Sequence, residues 1–151
     1  MDVLKEEKKI AIGSDHRGFK LKNDIINYLK DKGYDVADFG CYSGESADYP
    51  DYAKKVSIEI SNDKYWRGVL ICGSGIGMSI AANRINGVRA ALCHTVDDAK
   101  MSRNHNNANI IVFAANSAGK ESSEKMLDIF LNADFEGGRH QVRVNKIDQK
   151  D

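Results

Sequence analysis

The chain lacks most of what would mark a specialised protein. Net charge is absent: 22 Lys and Arg stand against 22 Asp and Glu in 151 residues. That balance excludes the basic excess by which nucleic-acid binders hold phosphate. No apolar run approaches the roughly 20 residues of a membrane-spanning helix, so neither nucleic acid nor membrane is an expected partner. The opening "MDVLKEEKK" has no apolar stretch of the secretory-signal kind and reads as a disordered lead-in over 1–8. Cysteines number three, Cys41, Cys72 and Cys93, with no C-x-x-C spacing. An odd count so spaced argues against a disulfide framework and a thiolate zinc site, and reduced thiols suit the cytoplasm. The single proline, Pro50, fits the first turn of a helix. No repeat, linker or low-complexity tract divides residues 1–151, which have the length of one domain.

What is present alternates. "KIAIGS" (Lys9–Ser14) is a short apolar run ending near glycine, a first strand. Phe19, Leu21, Ile25, Ile26 and Leu29 then recur near helical spacing, with Gly33 as a stop. Tyr34–Gly40 reads as a second strand. A loop rich in Ser, Gly and Asp leads to a helix with Ala53, Val56, Ile58 and Ile60 available for burial. "GVLIC", "VRAALC" and "NIIVFAA" supply three further strands, interleaved with helices over about Ile76–Ile85 and Asp97–His105. "AGKESSEKMLDIFLNA" makes a last helix before a polar tail carrying Arg139 and Arg143. Such alternation predicts a parallel sheet covered by helices on both faces, a three-layer α/β/α sandwich of Rossmann-like type. Ligands in these folds lie beyond the carboxyl ends of the strands.

Three joins at that end carry chemistry. In "CGSGIGMSIAAN", Gly73, Gly75 and Gly77 let the backbone turn tightly and expose N–H groups before a helix, a setting for negative charge. No Gly-Lys-Ser/Thr follows, so it is not a P-loop, and its spacing is not the dinucleotide fingerprint. Cys72 abuts this turn: a cysteine at a strand end is commonly a small buried hydrophobe, but here N–H groups can stabilise a thiolate that acts as base or nucleophile. Cys41 and Cys93 lack that context and read as structural. "GSDHRG" places Asp15 and His16 after the first strand, for sugar hydroxyls and phosphate or a ring oxygen. "SRNHNNAN" places His105 and Asn106 before the fifth strand, the imidazole a proton donor near neutrality. Four scattered histidines with no ligand spacing predict no metal. Arg139 and Arg143, four apart, would share one face of a helix, either as a solvated basic tail or as a clamp for phosphate.

Five motifs stand in order: "GSDHRGFKLK", "DYPDYA", "GVLICGSGIGMSIAANR", "SRNHNNAN" and "FEGGRHQVRV". Together they resemble the B-type ribose-5-phosphate isomerases, a family that also includes galactose-6-phosphate and allose-6-phosphate isomerases. The likeness runs from Lys9 to about Val144. It implies a five-stranded parallel sheet and an aldose–ketose isomerase needing no cofactor. By this resemblance Cys72 is the general base between C2 and C1, Ser74 handles protons at the carbonyl, and His105 opens the furanose ring. The N–H groups of the Gly73–Gly77 turn, with Asn83 nearby, match the pocket for the enediolate. Asp15, Tyr49 and Asn106 match substrate contacts, and His16, Arg139 and Arg143 match the phosphate side. The resemblance also implies a homodimer, sometimes paired into a tetramer, whose sites draw on two subunits, with 135–151 as a phosphate-side and dimer tail.

One position departs. Many relatives carry a phosphate-reaching arginine after strand five, where this chain has Asn116, and Lys120 is the nearby candidate to compensate. The departure keeps a hexose 6-phosphate, galactose or allose, as the alternative substrate. A non-catalytic flavodoxin-like phosphate-binding module fits the alternation too, but has no use for Cys72, Ser74 and His105.

Overall fold

The computed structural model describes residues 7–149. Most of the expected lead-in therefore lies outside the described residues. Its last member, Lys8, holds its Nζ 4.6 Å from the centroid of the Trp66 ring.

Strands and helices alternate as β1 (Lys9–Ser14), α1 (Phe19–Asp31), β2 (Asp35–Asp38), α2 (Tyr49–Ser61), β3 (Arg67–Cys72) and α3 (Ile76–Ala82). The series continues with β4 (Ala90–Leu92), α4 (Val96–Asn104), β5 (Ile110–Ala114), α5 (Lys120–Asn132) and α6 (Arg139–Asp148). All five strands pair in parallel, in the order β2-β1-β3-β5-β4. Successive residues face opposite layers, as strand geometry requires. Ile10, Ile12, Val69, Ile71, Ile111 and Phe113 pack towards α1, α4 and α5. Ala11, Leu70, Cys72, Ile110 and Val112 pack towards α2 and α3. Both faces of the sheet are covered, which is why its strands read as continuous apolar runs. No helix among the described residues is long and apolar enough to cross a membrane.

Two expectations need correction. Ile58 is 46 % exposed, while Ser57 is buried with Ala53, Val56 and Ile60. Residues 53, 56, 57 and 60 fall on one helical face, and Ile58 points about 100° away from Ser57. On α1, Phe19 is half-buried and Lys22 is fully buried, in register with Ile25 and Leu29. Its Nζ donates to both oxygens of Asp38, at 2.7 and 2.8 Å, and to the Cys41 carbonyl at 2.7 Å. Those bonds tie α1 to the chain leaving β2. The polar tail is helical over Arg139–Asp148, with Arg139 and Arg143 one turn apart as a helix predicts, and α6 buries only His140 and Val144.

Because β1 is flanked by β2 on one side and β3 on the other, successive connections leave it in opposite directions. A crevice opens at the carboxyl ends of strands where this happens. Asp15 follows β1 and Cys72 ends β3, and the Asp15 N–H donates to the Ile71 carbonyl at 3.2 Å.

Candidate active site

A cavity of about 520 Å³ occupies this crevice. Its floor is Cys72, Gly73 and Ser74, and its walls include Asp15, Tyr49 and Gly77. Gly75, the residue before α3, has φ +75°, a left-handed conformation that glycine adopts without penalty. Gly77 is glycine for another reason: a Cβ there would lie 2.5 Å from Tyr49 Cζ, so the phenol ring rests on its bare backbone. Tyr49 reaches that place because α2 starts there, with Pro50 in its first turn as expected. Among the described residues, the N–H groups of Ser74, Gly75 and Gly77 have no acceptor. The Ser74 hydroxyl accepts the Ile76 N–H at 3.2 Å, which orders the turn.

The three cysteines are unbridged and buried, but they differ. Cys41 Sγ donates to the Ser43 carbonyl and Cys93 Sγ to the Ala91 carbonyl. Burial, with the Asp98 charge adding, pushes the Cys93 thiol up to about 12, which keeps it protonated and inert. Cys72 is 4 % exposed, lines the cavity, and its Sγ has no partner among the described residues. Asp15 takes two roles. Oδ1 accepts the N–H groups of Arg17 and Gly18, at 3.0 and 3.1 Å, fixing the entry to α1. Oδ2 has no partner among the described residues, and the residue lines the cavity.

Other expected residues lie elsewhere. His16 does not line this cavity; its Nδ1 accepts the Ala47 N–H at 3.1 Å. Asn83 is not beside the glycine turn's open N–H groups: its amide accepts the Ala90 N–H at 2.8 Å and donates to the Ala90 and Ser79 carbonyls. It borders a separate cavity of about 210 Å³, shared with Asn106 and Ile147. No described residue of α4 or α6, nor His105 or Asn106, lines the Cys72 cavity.

His105, Asn106, Arg139 and Arg143 form a second group. The rings of His105 and His140 stack, centroids 4.1 Å apart and planes at 8°. Glu136 Oε2 approaches both Nε2 atoms, at 3.7 and 3.6 Å. These three residues hold ligand atoms within 4.8 Å of one another, a donor set of the kind that takes a divalent transition ion. The carboxylate shared by two imidazoles accounts for their clustering in any case. Burial, then the neighbouring His105 and Arg139, lowers the His140 imidazole from its ordinary value. Arg89 braces the group: Nε donates to the Asn106 and Asn107 carbonyls, and Nη1 pairs with Asp148 at 2.6 Å. Arg139 and Arg143 are exposed one turn apart on α6.

Sequence reasoning missed Arg17, which lines the Cys72 cavity, and His140, Glu136 and Arg89 in the second group. The "DHRG" motif displayed Arg17. The contacts of the other three depend on where α6 docks.

Known proteins share this architecture. Ribose-5-phosphate isomerase B of Escherichia coli is 44 % identical over 140 residues, spanning 93 % of this chain and 94 % of that protein. The crystal structure of a ribose 5-phosphate isomerase from Thermotoga maritima superposes with TM-score 0.93 at 52 % identity, covering 95 % of this chain and 99 % of that one. Ribose-5-phosphate isomerase B from Mycoplasma genitalium, solved with bound ribulose-5-phosphate, gives 0.89 at 42 % identity and covers 93 % of each. The family model for ribose/galactose isomerases matches residues 10–147. With the sheet, the glycine turn and this breadth of similarity in agreement, the chain belongs to the ribose/galactose isomerase family.

Proposed function

We propose that the chain interconverts ribose 5-phosphate and ribulose 5-phosphate through an enediolate, with Cys72 as the general base. The observation that carries this reading is an unpartnered thiol in a cavity whose floor exposes unpaired N–H groups. The chemistry needs that juxtaposition. The Cys72 thiolate takes the proton from C2 of the open-chain aldose, and the electron pair moves into the C1–C2 bond and onto the carbonyl oxygen. The N–H groups of the Gly73–Gly77 turn then meet the negative charge, and the proton returns to C1. Ser74 moves the hydroxyl proton between the two oxygens. Anion-hole donors contribute about 10²–10³ in rate and a positioned base about 10²–10⁴. Asp15 Oδ2 and the Tyr49 hydroxyl hold sugar hydroxyls.

Ring opening by His105 requires an imidazole that this chain does not bring to its own cavity. We therefore read the protein as a homodimer in which a second copy supplies His105, Asn106, Arg139 and Arg143. Exposed apolar side chains support this: Ile76 and Ile80, on the cavity rim, are 57 % and 63 % exposed. Burying such a rim against another chain favours association. Asn116 lines the cavity without charge and keeps the second reading, a hexose 6-phosphate, in view. Family membership leaves no place for the non-catalytic module.

The test is isomerisation of ribose 5-phosphate by the purified chain, beside Cys72→Ala. Turnover in the parent and a loss of at least about 10²-fold in the variant are expected. Equal turnover in both would remove Cys72 as base. No turnover in either, with turnover of a hexose 6-phosphate, would move the reading to six carbons.

A further inference from the structure

We propose that Arg17 is the phosphate-binding, specificity-determining side chain that this chain contributes to its own cavity. The inference rests on the sugar-phosphate reading above. Among the described residues lining the cavity, Arg17 alone carries positive charge. A substrate bearing a phosphate dianion needs such a group, and the only acid beside it there is Asp15, whose Oδ1 is already engaged by backbone.

Geometry places the Arg17 side chain against the start of the glycine turn. A Cβ built on Gly73 would lie 2.8 Å from Arg17 Cδ and 3.3 Å from Asn116 Nδ2. The two side chains thus converge from β1 and β5 onto one bare stretch of backbone, next to Cys72. Asn116 is held there by its own N–H, which donates to the Gly73 carbonyl at 2.9 Å. It donates hydrogen bonds but brings no charge, and Arg17 supplies the charge from the opposite side. The Arg17 N–H is fixed by Asp15, so the arm leaves a rigid turn. Its guanidinium has no hydrogen bond or ion pair among the described residues.

The arm also separates two spaces. Beyond it lies a groove of about 330 Å³, bordered by Lys20 and Lys120, with Asp24 its one acid. Phosphate oxygens gripped by the planar fork of Arg17 therefore face a region that is net positive. Lys120, the residue the sequence offers as compensation for Asn116, borders this groove and not the cavity.

The experiment measures ribose 5-phosphate kinetics and, by calorimetry, inorganic phosphate binding for the parent, Arg17→Met, Arg17→Lys and Arg17→Met/Asn116→Arg. Arg17→Met should raise KM and weaken phosphate binding by about tenfold or more, the scale of one lost charge-assisted hydrogen bond, with a smaller change in kcat. Arg17→Lys should recover part of the loss. The double variant should recover more, because it returns a cation to the same backbone from the other side. Unchanged phosphate binding in Arg17→Met, or none in the parent, overturns the proposal. A parent that binds phosphate through Arg17 but does not turn over ribose 5-phosphate sinks the substrate reading and leaves Arg17 standing.

Discussion

The Cys72 cavity and the His105–His140 stack are built by opposite means. The cavity draws on two short stretches, around Asp15–Arg17 and Cys72–Gly77, held where β1 and β3 run side by side, with Tyr49, Ile80 and Asn116 completing its lining. The stack is made of side chains from the end of α4 and the start of α6, joined by Glu136 and braced by Arg89. One presents an unbridged thiol, open N–H groups and, among the described residues lining it, a single cation. The other offers imidazoles and two arginines. Neither holds a complete set for opening a ring, moving a proton and gripping a phosphate. On the reading proposed above, the glycine-turn half suits the step where charge develops, and the side-chain half suits a surface that meets a second copy.

The most severe way to break this comparison is to separate the halves genetically. Cys72→Ala and His105→Ala chains, each purified alone, should be nearly inactive. Co-expressed, they should regain about one quarter of the parent's activity, since half the dimers are mixed and each mixed dimer has one intact composite site. No recovery would place Cys72 and His105 in the same chain's site and undo the two-copy reading.

Two ion pairs sharpen the comparison on the scale of stability. Lys22–Asp38 lies under the cavity half, with side-chain exposures of 0 % and 31 %. Arg89–Asp148 holds α6 in the stack half, at 16 % and 39 %. Removing one partner of a buried pair strands the other, whereas an exposed pair is largely replaced by water. Lys22→Met should therefore cost about 3 kcal/mol in urea unfolding. Asp148→Asn should cost about 0–1 kcal/mol. Similar costs for both would show that the second half is as firmly built as the first.

The same contrast explains what could be read from the sequence. The strands were legible because burial on both faces makes them continuous apolar runs, and the glycine turn because its residues are consecutive. Ile58 misled because hydrophobicity alone does not say which way a helical residue points; the spacing of 53, 56, 57 and 60 does. Lys22 was hidden by its charge, though its register with Ile25 and Leu29 placed it on the buried stripe. Cys72 was conspicuous beside its glycines, yet the lack of an Sγ partner among the described residues, which sets it apart from Cys41 and Cys93, is a tertiary fact. His140 and Glu136 were invisible as partners of His105, because only the docking of α6 brings them within reach.

The smallest expected effect is a pH dependence confined to the stack half. His140 faces His105, Glu136, Arg139 and Arg143, and burial with the neighbouring positive groups lowers its imidazole below the ordinary 6.5, Glu136 opposing. As pH falls, the unfolded chain takes up this proton before the folded one. The unfolded state then binds more protons, so stability falls with pH. The contribution is complete above 6.5 and declines progressively below it. His140→Phe keeps a flat ring against His105 and removes the titration. Urea midpoints of parent and variant should therefore draw apart in the variant's favour as pH drops through 6.5, and stay parallel above it. A difference that does not change with pH would mean the imidazole titrates alike in both states, leaving the stack as packing alone.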